Sequence, residues 1–290
     1  MDNKKSTASV IMVIAIVLLL AITLIPEDKE PVAGFAAHRV VAHAMGGING
    51  HAYTNAVEGF IANYEQGTRV FEADLLFTGD QKLVARHEWS KDMTKQLGQQ
   101  EVLPADKQGE VLDYAEFMDS PILGLYSPAD IEKIMDLMMA YPDAYIVTDT
   151  KEVEAELVTQ QFEVIVEAAE RREPSLLKRI VPQIYSREML DMIRKVHVFP
   201  EVIYTLYQSE DSDEVVTQFV KETGADITMS DDRATKSFVQ KLKGAGARVY
   251  VHTINDEKEI VQLSRLGVDG FYTDFVSEDD MDRLRGLGRN

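Results

Sequence analysis

The chain has 290 residues, 49 acidic against 30 basic side chains, a formal net charge of −19 and no cysteine. A disulfide framework, a cysteine nucleophile and a thiolate zinc site are thereby excluded, and so acidic a surface argues against nucleic acid as a partner. Hydrophobic residues make up 45% of the chain, too many for a disordered protein and enough for one large core.

Lys4 and Lys5 precede an uncharged apolar run from Val10 to Ile25. That length suits a spanning helix at the short end of the range. The residues that follow, Leu24-Ile25-Pro26-Glu27-Asp28, fit a small-x-small cleavage site poorly, so residues 1–26 read as an uncleaved anchor with a cleaved signal as the competing reading. The two lysines set the amino end in the cytoplasm and the remaining chain outside the cell membrane. Residues 27–38 read as a tether and residues 39–290 as one domain.

Within that domain, strand-like runs fall at 39–43, 68–77, 82–87, 144–150, 179–184, 201–206, 226–229, 247–253 and 270–273. Amphipathic helical patterns occupy 55–66, 127–140, 153–171, 186–196, 211–223, 234–244 and 256–266. Alternation of the two predicts an α/β fold with a parallel sheet. Thr78-Gly79-Asp80-Gln81 is too short for a crossover, so the second and third runs form a β-hairpin. The remaining eight runs match a TIM (β/α)₈ barrel with a hairpin excursion after the second strand, and spacing alone leaves a doubly wound open sheet as the alternative. Ser90–Tyr126, with Gly98, Pro104, Gly109 and Pro121, reads as a long irregular segment over one end of the barrel.

Chemistry concentrates at the ends of the early strands. Glu72 and Asp74 share one face of a strand, where two buried carboxylates need a divalent cation or a barrel Arg or Lys. Leu83-Val84-Ala85-Arg86-His87 ends the hairpin in a histidine. Val41-Ala42-His43-Ala44-Met45-Gly46-Gly47 runs from a strand into a histidine and a glycine pair, and Gly46 would let backbone approach a ligand. Asp149 and Lys151 lie two apart at the end of another strand, as an ion pair or as a metal ligand and a phosphate contact. Oxygen ligands suit Mg²⁺ or Ca²⁺, and two histidines beside a hard cation suit acid–base work on a phosphate ester.

The ordered series resembles the glycerophosphodiester phosphodiesterase family, whose TIM barrel is shared with phosphatidylinositol-specific phospholipase C. The matching stretches are His43-Ala44-Met45-Gly46-Gly47, Thr54-Asn55-Ala56, Gly67, Glu72-Ala73-Asp74, Thr78-Gly79-Asp80, Arg86-His87-Glu88 and Asp149-Thr150-Lys151. They continue through Val251-His252-Thr253-Ile254-Asn255 to Gly267-Val268-Asp269-Gly270-Phe271-Tyr272-Thr273-Asp274, so the likeness covers about Arg39 to Asp274. Asn55 and Glu58 are spaced like a capping box. The resemblance implies that His43 and His87 are the acid–base pair, that Glu72, Asp74 and Asp149 hold Ca²⁺ or Mg²⁺, and that Lys151 contacts the phosphate. It implies a small-molecule or lipid-derived phosphodiester substrate and a glycerol 3-phosphate product.

Three positions depart from the family pattern. Ala44 replaces an arginine, which removes a bidentate anion contact that Arg86 or Lys151 would have to supply. Asp149 replaces a glutamate, and His252 replaces a tryptophan and suggests a changed alcohol pocket. Trp89 reads as lining the mouth, His51 as facing either substrate or solvent, and Tyr185, Tyr204 and Tyr207 as either pocket or packing residues. A non-catalytic phospho-ligand-binding barrel and a phospholipase that forms a cyclic phosphate are the alternative functions.

Overall fold

The computed structural model describes residues 34–287. Gly34–Ala37 forms a single 3₁₀ turn at the end of one unit, and the second unit begins at His38. The anchor expected over residues 1–26 lies outside the described residues, as does the tether through residue 33. None of the described helices is long and apolar enough to cross a membrane.

Among the described residues nine strands form: β1 (Val40–Ala42), β2 (Val70–Phe77), β3 (Leu83–Ala85), β4 (Tyr145–Asp149), β5 (Ile180–Ile184), β6 (Ile203–Thr205), β7 (Asp226–Met229), β8 (Val249–Val251) and β9 (Gly270–Thr273). Parallel pairing runs from β2 through β4, β5, β6, β7, β8 and β9 to β1. The first strand then pairs with the second, Val41 opposite Val70, so the eight parallel strands close on themselves. Closure decides for the barrel and against the open sheet.

β2 serves two purposes along its eight residues. Val70–Asp74 lies in the barrel wall against β4, while Leu75–Phe77 rises beyond it and pairs antiparallel with β3. The Thr78 hydroxyl makes that turn by accepting from the Lys82 amide at 2.9 Å and donating to Asp80 at 2.7 Å. The hairpin thereby carries the segment after β3 over the carboxyl ends of the barrel strands.

All seven expected helices are present, with ends set by local chemistry. Ser186, Ser212, Thr235 and Asp256 each accept an amide of the first helical turn, and Gly224, Gly246 and Gly267 close three helices in the left-handed conformation. The segment 90–126 is less irregular than its glycines and prolines predict. It contains short helices at Lys91–Gln96 and Tyr114–Met118, which span too few turns to show a helical period. Val84, Leu103, Leu112 and Phe117 form one small core beneath it, and Ala56, Met93, Leu97, Ile122 and Tyr126 another.

Candidate active site

A pocket of about 420 Å³ opens at the carboxyl ends of the strands. On one side it is lined by His43, Tyr53, Glu72, His87, Asp149 and Lys151. Gln183, Tyr185, Thr205, Tyr207, His252 and Tyr272 line much of the other.

His43 enters the pocket because the chain turns sharply after β1. Ala44 and Met45 take φ of 48° and 61°, and Gly46 follows at 90°. The left-handed alanine is destabilising by about 1–2 kcal/mol. The turn is offset by its hydrogen bonds: the Ala44 amide donates to Glu72 Oε2 at 2.6 Å, and the Ala44 carbonyl accepts from the Asn55 amide at 2.9 Å. His43 Nδ1 lies 2.9 Å from Asp274 Oδ1. Asn255 clamps that carboxylate, donating to Oδ2 at 2.7 Å and accepting from the Asp274 amide at 2.8 Å. The last two motifs of the chain thus converge on the histidine of the first.

The two imidazole rings stand 6.4 Å apart, centroid to centroid. Burial alone would lower His43, but the Asp274 hydrogen bond and the charges of Glu72 and Asp74 outweigh it and hold the imidazolium up at about 9. Burial pushes His87 below its ordinary value, and Lys151 and His43 reinforce that against Asp74. The pair therefore sits in opposite protonation states near neutral pH.

Glu72, Asp74 and Asp149 are buried, and one oxygen from each falls within 4.8 Å of the others. Asp74 is held by the Asn55 amide at 2.7 Å and by the Lys151 ammonium at 2.6 Å. Lys151 also reaches Asp149 at 2.7 Å, and the Tyr185 hydroxyl donates to the other Asp149 oxygen. Glu72 Oε1 is buried and makes no hydrogen bond among the described residues. Burial and the neighbouring Asp74 push Glu72 well above the carboxylate range. Burial would do the same to Asp74, but Lys151, His87 and His43 hold it below its ordinary value. An unmatched carboxylate oxygen within an all-oxygen donor set fits a hard divalent cation.

Three residues expected at the substrate lie elsewhere. Arg86 is only 2% exposed, and its guanidinium donates to the Glu88 carbonyl and the Gln99 side chain, both at 2.8 Å. It therefore ties the hairpin to the overlying segment and does not replace a phosphate-binding arginine. Trp89 is half-buried, packs against Arg86 and Phe117 and donates to the Phe77 carbonyl, at the edge of the small core of that segment. Gly46 lies behind the pocket wall, where a Cβ would fall 2.3 Å from the Asn63 amide, so its lack of a side chain serves packing.

Asn55 does not cap the following helix either, because its side chain exchanges two hydrogen bonds with Asp74. Ala56 takes the cap position, and Glu58 instead accepts from Ser127. His51 is exposed and bridges to Ile48, away from the pocket. Tyr204 is buried and bonds Ser209 and Asp211, whereas Tyr185 and Tyr207 line the pocket.

His252 does line the pocket. Its Nδ1 is 2.9 Å from the Thr228 hydroxyl, and its Nε2 is buried with no hydrogen-bond partner among the described residues. Burial, reinforced by the His43 charge, depresses it to about 4 and leaves it neutral. Tyr53, Gln183 and Thr205 carry no sequence motif that marks them as pocket residues, and Tyr272 lies inside a matching stretch without being singled out by it. The position of Thr205 at a strand end is the nearest such signal.

A sequence model of the Glycerophosphoryl diester phosphodiesterase family matches residues 46–278. Among solved structures, a glycerophosphodiester phosphodiesterase from Parabacteroides distasonis is 18% identical with a TM-score of 0.68, over 86% of this chain and 97% of that one. A phosphodiesterase from Oleispira antarctica, in complex with the product sn-glycerol-3-phosphate, is 17% identical with a TM-score of 0.68 over the same shares. Likeness at that identity is likeness of fold. A search of curated proteins finds no match.

Proposed function

The chain belongs to the glycerophosphoryl diester phosphodiesterase family and is a phosphoric diester hydrolase, and from that premise we propose that it cleaves a glycerophosphodiester to sn-glycerol 3-phosphate and an alcohol, with His43 as proton donor and His87 as proton acceptor. The observation that carries the reading is the pair of imidazoles in opposite protonation states beside a buried carboxylate triad. Neutral His87 removes the proton of the attacking hydroxyl or water. The His43 imidazolium, oriented through Nδ1 by Asp274, gives its remaining N–H proton to the leaving alkoxide. Glu72, Asp74 and Asp149 would hold Ca²⁺ or Mg²⁺, which when bound supplies positive charge to offset that on the phosphate oxygens. Lys151 bonds both Asp74 and Asp149 and holds their carboxylates in place.

The apolar run Val10–Ile25 behind Lys4 and Lys5 extends the proposal to a barrel held at the outer face of the cell membrane. The test is phosphorus NMR of glycerophosphocholine incubated with the detergent-solubilised full chain and Mg²⁺ or Ca²⁺. Release of sn-glycerol 3-phosphate, abolished by chelator, is the expected outcome. A five-membered cyclic phosphate would mean internal attack instead. Binding without turnover, for this and other glycerophosphodiesters, would make the protein a phospho-ligand-binding barrel.

A further inference from the structure

Tyr53 is a pocket residue that the acid–base scheme leaves without a task. Its backbone lies in the left-handed region, at φ of 63°, which bulky side chains adopt only when their surroundings enforce it. The enforced position is beside both histidines. Its ring meets His43 edge-on at 4.8 Å and His87 edge-on at 4.9 Å. Behind it, Ala56, Met93, Leu97 and Ile122 support the ring with apolar side chains.

The hydroxyl at the end of that ring makes no hydrogen bond to another described residue. Of the other phenols lining the pocket, Tyr185 is committed to Asp149 and Tyr272 to Gln183, while Tyr207 is exposed and its ring meets His252 rather than the acid–base pair. An anion lodged between the imidazoles also finds few cations. Lys151 is the one lysine or arginine among the described residues lining the pocket, and Asp74 and Asp149 already hold it. Arg86 is turned away, and Ala44 offers no side-chain donor. A neutral O–H on a pocket ring that touches both imidazoles is therefore suited to share the charge of the phosphate.

We propose that the Tyr53 hydroxyl donates a hydrogen bond to a non-bridging oxygen of the phosphodiester and so fixes phosphorus between His43 and His87, an assignment that rests on the phosphodiesterase reading above. Burial and the carboxylates of Asp274 and Asp74 keep the phenol above its ordinary value, so it stays a donor throughout the working range. The bond would serve substrate and product alike, since both carry non-bridging oxygens.

The experiment compares the full chain with its Tyr53→Phe variant at saturating Mg²⁺. The expected result is a KM for glycerophosphocholine raised about 10- to 100-fold and a calorimetric affinity for sn-glycerol 3-phosphate weakened to the same degree, the worth of one hydrogen bond to a charged acceptor. The acid and alkaline limbs of the kcat profile should stay in place, because the phenylalanine ring still packs against both imidazoles. Wild-type KM and affinity in Tyr53→Phe overturn the proposal. So do displaced limbs without lost affinity, which would make Tyr53 a spacer only. If the wild type binds sn-glycerol 3-phosphate but hydrolyses no phosphodiester, the hydrolase reading fails, while the affinity comparison still decides Tyr53. If the wild type neither binds nor hydrolyses, both fall.

Discussion

The wall of the pocket that β1, β2, β4 and the hairpin contribute carries His43, Glu72, Asp149, Lys151 and His87, whereas the wall that β5 through β9 contribute carries Gln183, Thr205, His252 and Tyr272. The first wall is a set of charges that balance one another. Lys151 is shared by two carboxylates, and the His43 imidazolium faces Asp274 with Glu72 and Asp74 nearby. The second wall is polar but uncharged: Tyr272 donates to Gln183, and His252 is held neutral by burial. Buried charges stand only where partners and geometry are fixed, so one change in the first wall unsettles several groups. A neutral hydrogen-bonding wall carries less at each position, and its changes act on fit. Under the proposed function the two walls would take different tasks, reaction on one side and recognition of the alcohol on the other.

That division can be broken by mutation, and the largest effect falls on the charged wall. His43→Ala and His87→Ala should each lower kcat by about 10²–10⁴-fold, the usual worth of a positioned proton donor or acceptor. Little change in KM, read from steady-state kinetics, would accompany it. A loss under tenfold for either variant would remove that histidine from proton transfer.

An intermediate effect is expected where the charged wall is tuned from behind. In Asp274→Asn the carboxylate that supports His43 is gone, so the His43 value drops from about 9. A proton donor is active below its pKa, so the alkaline limb of the kcat profile moves to lower pH while the His87 acid limb stays. The same raised value stabilises the fold fully below about 6.5 and less as pH rises through about 9. Melting curves should show the variant losing stability at pH 6 and little at pH 10. An unmoved alkaline limb would assign the titrating acid elsewhere.

The smallest effect belongs to the neutral wall. His252→Ala should leave kcat within a few-fold on a minimal glycerophosphodiester, yet change kcat/KM between leaving alcohols by about tenfold, as loss of one neutral polar contact does. An equal effect on all alcohols would place His252 with the reaction and erase the distinction between walls.

Much of the charged wall is legible in the chain. Glu72 and Asp74 share a face because strand side chains alternate, and the short Thr78–Gln81 link requires a hairpin that returns His87 toward them. The neutral wall is less so. Gln183 and Thr205 resemble any polar residue at a strand end, and nothing in the sequence distinguishes His252 neutral from His252 charged. Arg86 shows the opposite failure, an arginine beside a site histidine whose guanidinium is spent on Gln99 thirteen residues on.

By itself the sequence determined the alternation of strands and helices, the one hairpin among crossovers and the residues able to bear charge, because periodicity, turn length and side-chain chemistry are local properties. Only the tertiary structure decided that the sheet closes, since closure depends on Val41 meeting Val70 across the barrel seam. Closure brings Asp274 and Asn255 to His43 from the far end of the chain. It also sets the protonation of His43, His87 and His252, because a pKa answers to burial and to charges that are near in space.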